Sequence, residues 1–534
     1  MFEPNFVHLS QLCSDLIIEE CVRLGIQKFC IAPGSRSTPL VLSVVENKNI
    51  ETVVHYDERS LAFFALGWAK ALGQPVGIIT TSGTAIANLY PAIIEAYFSQ
   101  IPLFILTADR STELTQIGHN QTIEQDHFFK YCCDAYHIGS LSAEIPASYI
   151  LTRLNQLAFN LNTKKQPVHL NIGFRDPLYI KENKSNPELL SYIEPVKTWV
   201  TQKTPYKHIE LLKKGKSQHI LNWLKNKKSL FFLAGDLSSS DAKILLALSK
   251  KTGIPIMADA CSGLRSHKKT MPISKIKTEE LKKFDGGIWV GGRIVCTRFF
   301  KDLNNLHIKL LRHHDSPLIE DPYNCCDTYI SSAISNLAKI KFPSQSHLLT
   351  LKNSISLESS FNQKNLIQNI SALLKKKDKV FCSNSLPIRI FDDMCIQKID
   401  AVIPVMANRG ASGIDGILST AAGYAKDDQK HTYLLIGDLA FLHDIGSLTL
   451  CKKLNLNLTI IILNNFGGGI FSSLPISENK NYFEEFFYTR HTYSFEQVAK
   501  WQDIFYQKIT SIKQLKNTLK SSHRLKILEC VFPE

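Results

Sequence analysis

No stretch of the 534 residues approaches the roughly 18 or more consecutive apolar residues of a membrane-spanning helix, so no membrane insertion is expected. The opening MFEPNFVHLS lacks a basic region followed by an apolar run, and a secretory signal is not expected there. The 13 cysteines contain no C-x-x-C pair. Cys132–Cys133 and Cys325–Cys326 are adjacent pairs, poorly spaced for tetrahedral zinc. An odd, scattered set of cysteines points away from a disulfide framework and toward a reducing, cytoplasmic compartment. Extreme composition is missing too: 44% hydrophobic and 21% charged residues exclude a disordered or fibrous chain.

Charge is unevenly placed. The net value of +14 comes from 62 Lys and Arg against 48 Asp and Glu. Residues 186–350 alone carry 26 basic and 14 acidic side chains, mostly lysine against no nucleic-acid motif. This reads as a solvated lysine surface, with no nucleic-acid partner. Length predicts about three domains. Short β-branched or aromatic runs, KFCIA (28–32), TVVHY (52–56), VGIITT (76–81) and PLFILTA (102–108), alternate with helical patterns at 58–72 and 84–98. The alternation returns at 379–383, 401–405, 432–437 and 458–463, with helices at about 386–395, 413–425, 444–454 and 509–521 and a last strand at 525–532. Runs at 229–236, 254–259 and 286–292 form a third such region. Repeated strand–helix alternation predicts an α/β protein of three domains, each a parallel sheet flanked by helices. The boundaries fall at 1–185, 186–350 and 351–534, near the polar linkers 181–188 and 341–347. The two end regions share a pattern of elements without a sequence repeat.

Two motifs follow buried strands near the C-terminus: GDL at 437–439 and NNFGGGIF at 464–471. Each alone reads as a strand-end turn. Together they place a carboxylate, an amide and a backbone carbonyl at the C-terminal ends of parallel strands, where such sheets bind ligands. These are hard oxygen donors suited to Mg²⁺, which is held by few protein oxygens together with phosphates and water. The glycines at 467–469 let backbone N–H groups approach a phosphate closely.

This pair resembles the thiamine diphosphate motif of the decarboxylase and transketolase families. The resemblance implies metal ligands Asp438, Asn465 and Gly467, with Mg²⁺ or Mn²⁺ as the ion. It also implies a Glu at a strand end that hydrogen-bonds the aminopyrimidine of the cofactor. Glu58, in VVHYDERS, stands where a strand gives way to a helix and is the catalytic candidate. By itself, an acidic residue in a first helical turn would be read as favourable to the helix dipole. The residue after Gly-Asp is usually Gly; here it is Leu439.

IAPGSRSTPL (31–40), HYDERSLAFFALGWAK (55–70), TSGTAIANLYPAIIEA (81–96), LTADR (106–110), NRGASGIDGILSTAAG (408–423), GDLAFLHD (437–444) and NNFGGGIFSSLP (464–475) narrow the match. They resemble one family, the 2-succinyl-5-enolpyruvyl-6-hydroxy-3-cyclohexene-1-carboxylate (SEPHCHC) synthases of menaquinone biosynthesis. The resemblance is dense over 28–130 and 381–475 and thin in the middle. It implies a transferase that uses thiamine diphosphate and Mg²⁺ to decarboxylate 2-oxoglutarate and add the succinyl semialdehyde unit to isochorismate. It further implies a pyrimidine-binding first domain, a diphosphate-binding last domain, and a homodimer or homotetramer with active sites shared between chains.

Both substrates are dicarboxylates, which calls for cations with the planar fork of arginine. Several polar and cationic residues fall on loops after strands: Ser35, Arg36, Arg110, Gln121, Ser385, Arg389 and Arg409. By family position these contact substrate. Ile414 and Ile470 pack the cofactor, and Leu439, Ala440 and Gly468 join its binding loops. In the middle region Arg298 is retained while Thr297 replaces a family Lys, which leaves a carboxylate short of one charge unless Arg293 supplies it. Arg490 replaces the Pro of a Thr-Pro-His segment, adding a cation or mobility near the mouth of the site. An acetolactate-synthase-like carboligase or another 2-oxoacid decarboxylase is the alternative. Such enzymes lack the PGSRSTP and NRGASGIDG pairing and carry Gly after Gly-Asp. A catalytically silent relative would have lost Glu58, Asp438 or Asn465, and all three are present.

Overall fold

The computed structural model describes residue 2 and residues 4–181, 186–209, 218–225, 227–316, 318–342, 357–426 and 430–532. Of the two polar linkers, residues 182–185 and 343–347 lie outside the described residues.

Three six-stranded sheets, every strand pair parallel, organise the chain. The first holds β1 (Lys28–Ile31), β2 (Glu51–Val54), β3 (Val76–Thr80), β4 (Leu103–Arg110), β5 (Asp134–Ile138) and β6 (Val168–Phe174), in the order β2-β1-β3-β4-β6-β5. The second holds β7 (Leu230–Ala234), β8 (Ile256–Ala258), β9 (Met271–Pro272), β10 (Gly286–Val290), β11 (Leu310–His314) and β12 (Cys326–Ser331), in the order β12-β11-β10-β7-β8-β9. The third holds β13 (Asp378–Cys382), β14 (Val405–Met406), β15 (His431–Gly437), β16 (Leu458–Asn464), β17 (Phe505–Ile509) and β18 (Leu525–Val531), in the order β14-β13-β15-β16-β18-β17. The first and third sheets therefore share one strand order, and the likeness of the two end regions extends to topology. In both, strand order reverses between the first and third strands of the sheet, the place where open α/β sheets bind ligands.

By compactness the chain divides into two units. One comprises Met1–Leu212, Arg409–Asp427 and Gly446–Leu450; the other comprises Lys213–Asn408, Asp428–Ile445 and Cys451–Glu534. The first unit thus contains the first sheet and also helix Ile417–Ala425, which packs against helix Glu58–Leu72. Glycine allows that approach: a Cβ on Gly67 would lie 1.9 Å from the Thr420 carbonyl oxygen, and one on Gly423 2.0 Å from that of Phe64. A core of Leu16, Ile31, Ile79, Leu106, Leu154 and Ile172, among others, fills the space between the first sheet and its helices. In the second unit, Val380, Leu435, Ile461 and Leu528 centre the core of the third sheet.

Several elements differ from the periodicity reading, for identifiable reasons. The run at 401–405 pairs only at Val405–Met406, because Pro404 has no N–H for a ladder and β14 is an edge strand. The helix expected from 413 starts at Ile417, after Gly416 with φ 62°. The helix expected over 444–454 is preceded by Asp438–His443 and begins at Leu448. β6 and β11 escape the apolar-run criterion because buried His169, Asn171, Arg312 and His313 interrupt them.

Candidate active site

β15 is a buried strand that ends at Gly437, and its chain direction carries Asp438 into the first position of the short helix Asp438–His443. The adjacent β16 ends at Asn464, which puts Asn465 beside it. Asp438 is 2% exposed. Its Oδ1 accepts the Leu439 N–H at 2.7 Å; its Oδ2 accepts the Gly467 N–H at 3.0 Å and lies 3.2 Å from His491 Nε2. Burial pushes the Asp438 carboxyl above its ordinary pKa, against the pull of the two backbone N–H groups and His491. Asn465 donates through Nδ2 to the Gly467 carbonyl at 2.8 Å, and Tyr488 Oη donates to the Asn465 carbonyl at 2.8 Å. Gly467 has φ 155°, and a Cβ there would lie 2.4 Å from the Tyr488 ring, so only glycine fits. Asp438, Asn465 and Gly467, expected together as metal ligands, are thus brought into one hydrogen-bonded cluster.

The donor set fits a hard divalent cation. It holds one carboxylate, one amide and one backbone carbonyl, and the carboxylate is desolvated in a way that a cation would relieve. Among the described residues no group of three or more His, Cys, Asp or Glu could hold a metal. Phosphate and water would complete the shell of a cation held by so few protein oxygens. An open cleft of about 560 Å³ adjoins the cluster, walled by Leu439, Leu442, Glu484, Arg490, His491 and Tyr493. Ala440 is buried behind Leu439, Gly468 donates its N–H to the Tyr488 carbonyl at 2.6 Å, and Ile470 is half-buried in the turn Gly469–Ser473. Arg490 pairs with Glu484 at 2.9 Å and lies over the Tyr488 ring.

The sequence reading missed His491 and Tyr488. Both lie in FFYTRHTYSF (486–495), and the signal for His491 is the His that closes the Thr-Pro-His pattern there. Buried Glu529 was also missed. It accepts from Asn464 Nδ2 at 2.8 Å, the Phe495 N–H at 3.0 Å and Tyr506 Oη at 2.6 Å, tying together the two loops that meet at Asp438.

In the first unit, Glu58 opens helix Glu58–Leu72 as predicted. Asp57 caps that helix, accepting from the Arg59 and Ser60 N–H groups at 3.0 and 3.2 Å. Glu58 is half-buried, and Asn88 Nδ2 donates to its Oε2 at 3.3 Å. At the ends of β1 and β4 the guanidinium groups of Arg36 and Arg110, 6% and 9% exposed, come within each other's field. Arg36 donates to the Phe174 carbonyl at 3.1 Å and Arg110 to the Asn120 carbonyl at 3.0 Å, while the Nε of each is buried without a partner. Burial, and then the Arg36 charge, lower the Arg110 pKa. Gln121, with φ 55°, donates to the Ser82 carbonyl at 3.0 Å on the loop after β3. Ser35 is exposed on the loop after β1, and its carbonyl accepts from Thr38. The loop after β1, the last residue of β4 and the loop after β4 therefore carry four of the predicted substrate residues, Ser35, Arg36, Arg110 and Gln121, beyond the C-terminal ends of strands in one sheet.

The other predicted residues stand elsewhere. Arg409 and Ile414, the latter 39% exposed, belong to the first unit through segment Arg409–Asp427. In the second unit, Ser385 caps helix Leu386–Met394 with φ 69°, and Arg389 Nη1 donates to its carbonyl at 2.6 Å. Arg298, in helix Thr297–Asn305, donates to the Ser274 and Ile276 carbonyls at 3.2 Å each. Arg293 pairs with Glu320 at 2.9 Å.

The chain matches the family described as thiamine pyrophosphate enzyme, N-terminal TPP binding domain, over residues 13–131, and its C-terminal TPP binding domain over residues 405–526. With the three parallel sheets, this defines a thiamine diphosphate-dependent enzyme. The chain is 35% identical to the SEPHCHC synthase of Psychromonas ingrahamii, with 99% of this chain and 94% of that one covered. It is 34% identical to the enzyme of the same name from Shewanella oneidensis, with 96% and 93% covered. The chain belongs to the SEPHCHC synthase family, thiamine diphosphate-dependent transferases of menaquinone biosynthesis. Among the described residues no helix is long and apolar enough to cross a membrane.

Proposed function

We propose that this chain, with Mg²⁺ or Mn²⁺, decarboxylates 2-oxoglutarate and adds the succinyl semialdehyde unit to isochorismate, giving SEPHCHC. The observation that carries this reading is the buried pair Arg36 and Arg110, each with an unpartnered Nε. Asp176, 3.4 Å from Arg36, and Asp109 beside Arg110 offset part of the repulsion between the two guanidinium groups, while the two buried Nε atoms stay without an acceptor. A carboxylate of a dicarboxylic substrate meets that need, and the planar fork favours it. Relatives that carry the SEPHCHC synthase name support the choice of substrates.

Bound thiamine diphosphate supplies the electron sink that loss of CO₂ requires. The chain supplies position and charge. Asp438, Asn465 and the Gly467 carbonyl would hold the cation, with Leu439, Ala440, Gly468 and Ile470 around the cofactor. Glu58 would hold and return a proton at Oε2, where Asn88 orients it. Ser35, Gln121, Ser385, Arg389 and Arg409 complete the substrate-binding set. Arg298 is proposed with them, although its guanidinium is engaged by two backbone carbonyls.

A division into a pyrimidine-binding domain at 1–185, a central domain at 186–350 and a diphosphate-binding domain at 351–534 is supported by one sheet in each. Glu58 belongs to the first compact unit and Asp438 to the second. We read the assembly as a homodimer, or a homotetramer of such dimers, in which one chain's Glu58 and its partner's Asp438 serve one cofactor. The deciding experiment is incubation with thiamine diphosphate, Mg²⁺, 2-oxoglutarate and isochorismate, with the product identified by mass spectrometry. Release of CO₂ from pyruvate but not from 2-oxoglutarate would reject the substrate assignment.

A further inference from the structure

Glu95 lies near the end of helix Thr84–Ser99 and is 3% exposed. A carboxylate so deeply buried is tolerated only when its lone pairs are filled. Three successive backbone N–H groups fill them. Gly410 donates to Oε1 at 2.8 Å, and Ala411 and Ser412 donate to Oε2 at 2.7 and 3.3 Å. Ser99 Oγ adds a bond to Oε1 at 2.5 Å, and Lys70 Nζ lies 3.8 Å away, with its side chain 5% exposed. All these residues belong to the first compact unit.

Consecutive backbone N–H groups aimed at one point form an anion-binding nest. Here the anion is a side chain of the protein itself. The bonds force an unusual backbone on the loop. Ser412 has φ 63°, uncommon for a residue with a Cβ. Gly410 sits so close to the helix that a Cβ would lie 2.6 Å from the Glu95 carbonyl oxygen. Such a conformation persists only where its surroundings over-determine it. Arg409 immediately precedes the gripped residues, and Ile414 follows two positions after them. The same helix bears Asn88, seven residues before Glu95 and therefore on nearly the same face, and Asn88 donates to Glu58. One helix thus orients Glu58 through Asn88 and grips the 409–414 loop through Glu95.

We propose that Glu95 is a positioning residue that fixes the 409–414 loop by its three backbone bonds and so sets Arg409 for a substrate carboxylate. The inference rests on the reading of Arg409 given above. Arg409 leads directly into the gripped residues, so movement of the 410–412 backbone would carry its guanidinium with it. Orientation of a binding group is lost when its support is lost, even without direct contact with the ligand.

The test uses the full-length chain and three variants: Glu95→Gln, Arg409→Ala and the double variant. Amide hydrogen exchange, followed by mass spectrometry without ligands, should show the peptide containing 409–414 exchanging at least about tenfold faster in Glu95→Gln, as charge-assisted bonds are lost. Peptides from β3 and β4 should exchange as in the wild type. In the loaded enzyme, Glu95→Gln should raise KM for 2-oxoglutarate or isochorismate at least about tenfold, with kcat changing much less, the mark of lost binding rather than lost chemistry. In the Arg409→Ala background it should add no further rise, because residues that act through one another are not additive. Wild-type exchange, wild-type KM or full additivity would overturn the proposal. If Arg409→Ala alone leaves both KM values unchanged, the reading of Arg409 fails, and the inference with it. If Glu95→Gln is insoluble, Glu95→Asp keeps the charge but shortens its reach. Faster exchange of 409–414 with raised KM then supports the proposal, and wild-type values of both overturn it.

Discussion

The Asp438 carboxylate accepts the Gly467 N–H at 3.0 Å, joining the loops that leave two adjacent parallel strands, β15 and β16. The bond explains how two motifs far apart in sequence make one site. Each strand ends in register with the other, Gly437 opposite Leu463, so the residues that follow emerge side by side. Burial then makes the carboxylate costly when charged and alone.

Asp438→Ala is expected to abolish metal-dependent binding of thiamine diphosphate. Removal of the one carboxylate in the donor set leaves the diphosphate charge without its counterpart. Titration calorimetry with and without Mg²⁺ reads this directly, and an unchanged affinity would reject the metal assignment.

Glu58→Gln preserves shape and the contact with Asn88 but not the proton. Cofactor affinity should survive, while exchange of the C2 proton of bound thiamine diphosphate and overall turnover fall at least about a hundredfold, the scale of a general acid–base contribution. Exchange measured by NMR at the wild-type rate would reduce Glu58 to a helix-start residue.

Arg110→Lys retains charge but loses the planar fork. Steady-state kinetics should show KM for a dicarboxylate rising about tenfold, or 1.4 kcal/mol. The conservative change separates fork geometry from charge, and an unaltered KM for both substrates would remove Arg110 from the binding set.

His169 makes stability pH-dependent. It is fully buried on β6, where Thr107 Oγ1 lies 2.7 Å from Nε2, and burial followed by the nearby His137 lowers its pKa to about 3. A group depressed below its unfolded value of 6.5 contributes stability that is present above that value and lost as pH falls toward the folded one. Between pH 7 and 5 the loss should approach about 2 kcal/mol, since the unfolded state takes up the proton and the folded state does not. Thermal unfolding midpoints across this range should fall with acid, and less so in His169→Gln. Equal slopes in the two proteins would assign the acid lability to other groups.

Shared active sites predict complementation. Glu58→Ala and Asp438→Ala chains, each inactive alone, should regain close to half the wild-type activity when co-expressed with different tags and purified as the mixed dimer. One site then collects both defects and the other neither. Sites built within single chains would leave the mixture inactive.

Local chemistry made part of this protein legible from its residues. The strands β1, β3, β4, β15 and β16 are each built around an apolar run, as expected of strands covered on both faces of a parallel sheet. Glu58, Asp438 and Asn465 stand directly after strands or at the first position of a helix, so chain direction alone placed them at strand ends. Elements with buried polar side chains were opaque. β6 reads as broken because His169 and Asn171 look like surface residues until Thr107 is found beside His169 Nε2, and Thr107, Gln125 and Asp109 are found bonded to Asn171.

The residues alone thus determined the α/β class and the order of its motifs, because each depends on periodicity or on chemistry within a short span, whereas the meeting of Asp438 with Gly467 required β15 and β16 to be neighbours. Tertiary structure decided the rest. It set His491 against Asp438, packed Arg36 into the field of Arg110, and placed the Glu95 carboxylate under the backbone of residues 410–412. These pairings join segments distant in sequence. They are fixed by which strands are neighbours and by where buried charge finds donors, and no periodicity along the chain encodes either.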